Sequence, residues 1–222
     1  GEKNYKDANR AATNGIFLAI LSYIIFAVWG LFFARMFFES QTDNQQIIDY
    51  GTTYISICTI FSLGIFMQMT FERLMQSTGN TFYNMITQGL GAIINIILDP
   101  ILIFGLLGFP KMGVAGAAIA TVIGQVAAMM LSLYFNIKKN NEISLSFKGF
   151  KPHLKTIGTI YAVGLPSIVM QSIASVMTFG MNKILLTFSS TAVSVFGVYF
   201  KLQSFIFMPI FGLSNGMVPI VA

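Results

Sequence analysis

Charge is scarce in this sequence. Only 9% of its 222 residues are Asp, Glu, Lys or Arg, against roughly 25% in ordinary soluble domains. Cysteine, histidine and tryptophan occur once each. Cys58 lies in an apolar run, which excludes a disulfide framework and a cysteine metal cluster, and it reads as a small packing residue. His153 stands in a basic stretch with no Cys, His or acidic cluster beside it, so it reads as a solvated side chain and not as a metal ligand. No G-x-x-x-x-G-K-[ST] stretch occurs, which excludes a P-loop nucleotide motor within this chain.

What fills the chain is apolar: 55% of the residues, with 22 Phe and 13 Met. Runs of the roughly 20 residues needed to cross a bilayer fall at Ile16–Ala34, Tyr54–Phe71, Phe82–Leu107, Val114–Phe135, Ile157–Phe188 and Ala192–Ala222. The reading is an all-α integral membrane protein with six transmembrane helices. The polar opening GEKNYKDANRAATNG reads as a loop, without a signal peptide or an initiator Met, and the chain stops at PIVA inside an apolar run. Both ends read as cuts through something longer. Pro166, inside the fifth run, predicts a kink.

The net charge of +5 raises nucleic acid as a partner, and the placement of the basic residues decides against it. Lys3, Lys6, Arg10, Arg73, Lys138, Lys139, Lys148, Lys151 and Lys155 fall on one side of the expected membrane, against Arg35, Lys111 and Lys183 on the other. By the positive-inside rule the nine are cytoplasmic, as is the Lys-, Asn- and Ser-rich stretch Asn136–Thr156, the natural boundary between two lobes. No aromatic-interleaved basic patch supports a nucleic-acid partner; the bilayer is the partner.

Asp99 is the one carboxylate deep inside an apolar stretch, GAIINIILDPILIFG. A charge in hydrocarbon costs on the order of several kcal/mol, so it is seldom kept without a task. Asn84, Gln88, Asn95 and Asp99 are spaced +4, +7 and +4 and share one helix face, which must look into protein or a wet cavity. A second reading stays open: Asp99 merely ends a helix before Pro100. In the fourth run Gly116, Ala120, Gly124 and Ala128 recur every four residues, a seam that lets another helix approach closely. Thr121 and Gln125 lie beside it, and Thr121 either meets the neighbouring helix or bonds its own backbone. Lys201 is a further charge within the sixth run, with structural and functional readings both open. Glu72 and Arg73 read as opposite charges anchoring a helix end.

Two stretches, ERLMQSTGNTFYNMITQGLGAIINIILDPILIFG and GVAGAAIATVIGQ, resemble the signature region of the multidrug and toxic compound extrusion (MATE) transporters, especially its bacterial multidrug exporters. The match rests on Arg73 with Gly79, on the N-x-x-x-D-P core of Asn95–Pro100, and on the G-V-x-G-A-A-x-A-T run from Gly113. The resemblance implies a twelve-helix, two-lobe transporter of which the six spans are helices three to eight. Residues 1–135 are then the end of the N-terminal lobe with four helices, 136–156 the cytoplasmic interlobe linker, and 157–222 the start of the C-terminal lobe with two. The remaining helices of the same transporter are then partners of this chain.

It also implies that Asn95, Asp99 and Thr121 belong to a cation- or proton-responsive network, with Gln88, Gln171 and Lys201 as candidates for cavity or gating roles. The acidic residue that some branches carry in the seventh helix has only Gln171 in its place. The implied function is a secondary antiporter in the cell membrane that exports amphipathic or cationic compounds in exchange for H+ or Na+. No catalytic residue, metal or other cofactor is expected. A lipid-linked precursor flippase of related architecture is the alternative. An intramembrane enzyme fits less well, because no paired carboxylates, His/Glu set or Ser/His pair appears at membrane depth.

Overall fold

The computed structural model describes residues 5–146 and 150–221. Every regular element among them is an α-helix, and the chain forms two units, Gly1–Ile157 and Gly158–Ala222. The first holds α1 (Tyr5–Phe32), α2 (Ala34–Glu39), α3 (Gln45–Ile60), α4 (Leu63–Ser77), α5 (Thr81–Phe104) and α6 (Val114–Lys139). α7 (Leu154–Phe188) begins at the end of this unit and supplies the second together with α8 (Ser190–Val221).

α1, α5, α6, α7 and α8 are each long and apolar enough to cross a membrane, and α3 with α4 forms a bent pair that passes the same test. The 24 residues of α5 reach about 36 Å at 1.5 Å per residue, enough for a hydrocarbon layer of about 30 Å. Ile24, Ile25, Ile96, Ile97 and Met130 are exposed along these helices. Apolar side chains exposed along helices of this length suit a membrane setting. The chain is an all-α membrane protein.

Three sequence expectations change. The polar opening is not a loop: α1 starts at Tyr5, and its polar side chains are held by partners far along the chain. Asn9 Oδ1 accepts from Ser144 N at 2.8 Å, Asn14 Oδ1 accepts from His153 N at 3.0 Å, and Phe17 packs against Phe150. His153 is correspondingly not a free solvated side chain, since its Nδ1 accepts from Thr156 N at 3.2 Å and caps the start of α7. The second expected span is not one rod. It runs from Gln45 to Ser77 with a 50° bend at Phe61–Ser62, where the Ser62 hydroxyl donates to Thr59 O at 2.7 Å. As the run Phe82–Leu107 leads one to expect, Pro100 lies inside α5, which continues a full turn to a left-handed Gly105 cap (φ 73°). A Cβ there would meet Lys111 N at 2.7 Å, so both conformation and space require glycine. Pro166 likewise lies inside α7.

α6 packs against α3, α4 and α5, and the seam explains why. Gly116, Ala120, Gly124 and Ala128 are all buried. A Cβ on Gly124 would stand 2.7 Å from Gly91 O, so the backbones of α5 and α6 nearly touch at this point. The far end of α6 is fastened by Asn136, 1% exposed, whose Nδ2 donates to Phe71 O at 2.9 Å. This one bond from a buried amide to α4 sets the register of α6 on α4, while its other bonds, to Ser132 O and from Asn140 Nδ2, stay at the end of α6.

Candidate functional site

Close approach at Gly91 and Gly124 brings one turn of α5 against one turn of α6, and Asn95 bridges them. The orientation that satisfies both of its amide atoms turns Nδ2 to the carboxylate, 3.3 Å from Asp99 Oδ2. Its Oδ1 then accepts from Thr121, 3.2 Å from the main-chain N and 3.3 Å from Oγ1. The Thr121 hydroxyl also reaches Ala117 O at 3.0 Å, so the two readings of Thr121 are not exclusive: one hydroxyl lies within reach of its own helix and of Asn95. Since α5 runs on past Pro100, Asp99 does not end a helix.

Gln88, Asn95, Thr121 and Gln125 line a cavity of about 230 Å³, with Gln68, Ile65, Gly91, Ala92 and Gly124. At about 30 Å³ per water this is space for a handful of waters or a hydrated ion. It is smaller than the roughly 300–1,000 Å³ of drug-sized pockets. The cavity draws on α4, α5 and α6, and its polar wall is almost entirely amide and hydroxyl.

Gln171 and Lys201 belong to the second unit. Gln171 is exposed on α7 among Ser167, Ser172 and Ser175, and Lys201 is exposed on α8. Within the first unit the structure therefore assembles Asp99, Asn95, Thr121 and Gln88 around one cavity and its edge.

Sequence reasoning missed Glu72. It does not pair with Arg73, whose Nη1 donates to Gln76 Oε1 at 2.6 Å. Glu72 turns inward, 7% exposed, and accepts from Gln68 Nε2 at 2.9 Å, Thr87 Oγ1 at 3.0 Å and Gln88 Nε2 at 2.9 Å. Asn84 Nδ2 donates to its main-chain O at 2.8 Å. The upper half of the polar stripe on α5 is thus spent on this one residue. The available signal was Gln68 four residues before Glu72, one helical turn on the same face.

The family model described as MatE matches residues 1–101. The multidrug export protein MepA of Staphylococcus haemolyticus is 29% identical across 100% of this chain, and that of Staphylococcus aureus 25%. Among solved structures, the MATE multidrug transporter DinF-BH superposes with a TM-score of 0.85 at 27% identity over 98% of the chain. Over its whole length the chain is similar to transporters of the MATE family. It spans about half the length of the MATE proteins it matches, 48% of each MepA and 53% of DinF-BH. A multidrug resistance MATE transporter solved in an inward-facing conformation shares the fold, with a TM-score of 0.86 at 23% identity over 98% of this chain and 49% of that one. The matched MATE relatives are named as exporters and transporters, not as enzymes.

Proposed function

We propose that this chain works as part of a secondary active antiporter that exports amphipathic, often cationic compounds in exchange for protons or sodium ions. The observation that carries the reading is Asn95 joining Asp99 of α5 to Thr121 of α6 beside a polar cavity of about 230 Å³. A carboxylate, an amide and a hydroxyl on two transmembrane helices offer oxygen donors to a small cation, or one titratable oxygen to a proton. Neutralising Asp99 changes what Asn95 can bond to, and so changes the packing of α5 on α6. A transporter gains coupling when such a change favours one conformation and lowers its affinity for the exported compound.

The energies suffice. Each unit of pH gradient supplies about 1.4 kcal/mol per proton and each 100 mV about 2.3 kcal/mol per charge, tenfold or more in a two-state equilibrium.

On this reading residues 1–135 end the N-terminal lobe, and residues 136–156, which take in the end of α6 and the start of α7, are its cytoplasmic linker. α7 and α8 open the second lobe, with Gln171 and Lys201 as its candidates for cavity or gating roles. The helices that the longer relatives carry beyond the matched half complete the cleft in the plasma membrane. The test is efflux of a panel of fluorescent cations, neutral amphiphiles and lipid-linked precursors from cells lacking their own pumps. Export of cations and amphiphiles supports the reading, and movement of lipid-linked precursors alone refutes it.

A further inference from the structure

The carboxylate that the coupling cluster leaves unused is Glu72. It is buried, no ion pair reaches it among the described residues, and all three of its side-chain partners are neutral donors. Lys6, Asp7 and Arg10 on α1, where Asp7 and Arg10 pair with each other, do not bond to it. Neither do Tyr83 and Asp99 on α5, nor Tyr134, Lys138 and Lys139 on α6. A buried carboxylate without a cation is costly, and it is held here by hydrogen bonds alone.

The Thr87 hydroxyl is the informative partner. Its oxygen lies 3.0 Å from Glu72 Oε1 and 2.9 Å from Asn84 O, two acceptors for a hydroxyl with one proton. With Glu72 ionised, Thr87 donates to Oε1. When a proton adds to Oε1, the new O–H donates to Thr87 Oγ1, and Thr87 turns its own proton to the Asn84 carbonyl. One O–H bond forms at Oε1 as one breaks in a hydronium ion of the cavity water, which is left as neutral water; no heavy atom of the protein moves, and every polar group stays paired. Gln68 and Gln88, the other two partners, both line the cavity that reaches Asn95 and Thr121, so water there has a route to the carboxylate. A metal ion would find the opposite arrangement, because the two amides present N–H groups and no second carboxylate faces Glu72.

We propose that Glu72 is a proton-binding site, distinct from the Asp99 cluster, which takes its proton from water in the shared cavity and uses Thr87 as a hydroxyl switch. Proton uptake removes one negative charge from the end of the cavity opposite Asn95. The claim concerns proton binding alone and does not depend on what the transporter exports.

The experiment is infrared difference spectroscopy, between alkaline and acidic pH, on the transporter in lipid nanodiscs. On acidification a protonated-carboxyl C=O band is expected that survives Asp99→Asn and disappears in Glu72→Gln. Gln at this position keeps the size of the group, and its amide can donate to Thr87 as the protonated acid does, so folding is retained. Thr87→Val, which removes the hydroxyl at nearly constant shape, should shift the frequency of the band, because the acid then loses its acceptor. A spectrum unchanged by Glu72→Gln overturns the proposal, and a band lost in Asp99→Asn assigns the proton to the other cluster and overturns it too. A band indifferent to Thr87→Val overturns the switch.

Discussion

Replacing Gly124 with Ala adds one methyl group at the point where α5 and α6 meet. The new Cβ would stand 2.7 Å from Gly91 O, 0.7 Å short of the 3.4 Å at which ordinary contact begins. The atom it meets is backbone and cannot rotate aside, so the helices must part by about that amount. Asn95 Oδ1 and Thr121 Oγ1, 3.3 Å apart, would then separate to about 4 Å, beyond hydrogen-bonding range. Overpacking costs about 1–3 kcal/mol, while Ala regains about 1 kcal/mol of helix propensity over Gly. Stability therefore falls only modestly, whereas the Asn95–Thr121 bond is lost outright. A net hydrogen bond of about 1 kcal/mol corresponds to roughly a fivefold loss of ion-coupled export. Gly89→Ala is the control, since nothing lies within 4 Å of a Cβ at that position. Thr121→Val in both backgrounds completes a double-mutant cycle, in which the effects of Gly124→Ala and Thr121→Val should be less than additive. If Gly124→Ala melts and exports like Gly89→Ala, the seam does not set the geometry of the site.

Two further outcomes follow from the packing and the charge pattern. Asn136→Ala should cost about 1–3 kcal/mol by unpairing a buried contact between α6 and α4, and so lower the melting temperature by about 2–4 °C per kcal/mol; exposed Lys138→Ala should leave it unchanged, and equal melting of the two variants would contradict the role given to Asn136. On a Cys58→Ser background, a cysteine at Thr42 should react with a membrane-impermeant reagent added outside and one at Ser144 should not, as the distribution of basic residues requires. Labelling in the reverse pattern would invert the topology.

Periodic features were readable before the structure. The seam from Gly116 to Ala128 and the stripe from Asn84 to Asp99 each repeat at the helical period, and each is where two helices meet. That Asn95 faces Thr121 came from the family resemblance, since spacing left the Thr121 hydroxyl open to two partners. Features whose cause is distant in sequence were missed. The polar start of α1 reads as loop because the groups that hold Asn9 and Asn14 lie 135 and 139 residues away. Glu72 was masked by its neighbour Arg73, a local partner of opposite charge, while its actual donors on α5 lie 15 and 16 residues on. The helix end before Pro100, open as a second reading of Asp99, is absent: α5 continues through the proline, as transmembrane helices tolerate.

The central claim is that Asp99, tied through Asn95 to Thr121, couples ion movement to export. The direct measurement is uptake of a fluorescent cation into everted vesicles under an imposed proton or sodium gradient, with Asp99→Asn expressed to the level of the unsubstituted protein. Asn keeps the shape and hydrogen bonding of Asp and removes the titratable charge, so the protein should fold and lose transport under the coupling gradient, with Asn95→Ala and Thr121→Ala weakened less. Transport by Asp99→Asn at the normal rate under both gradients would contradict the account.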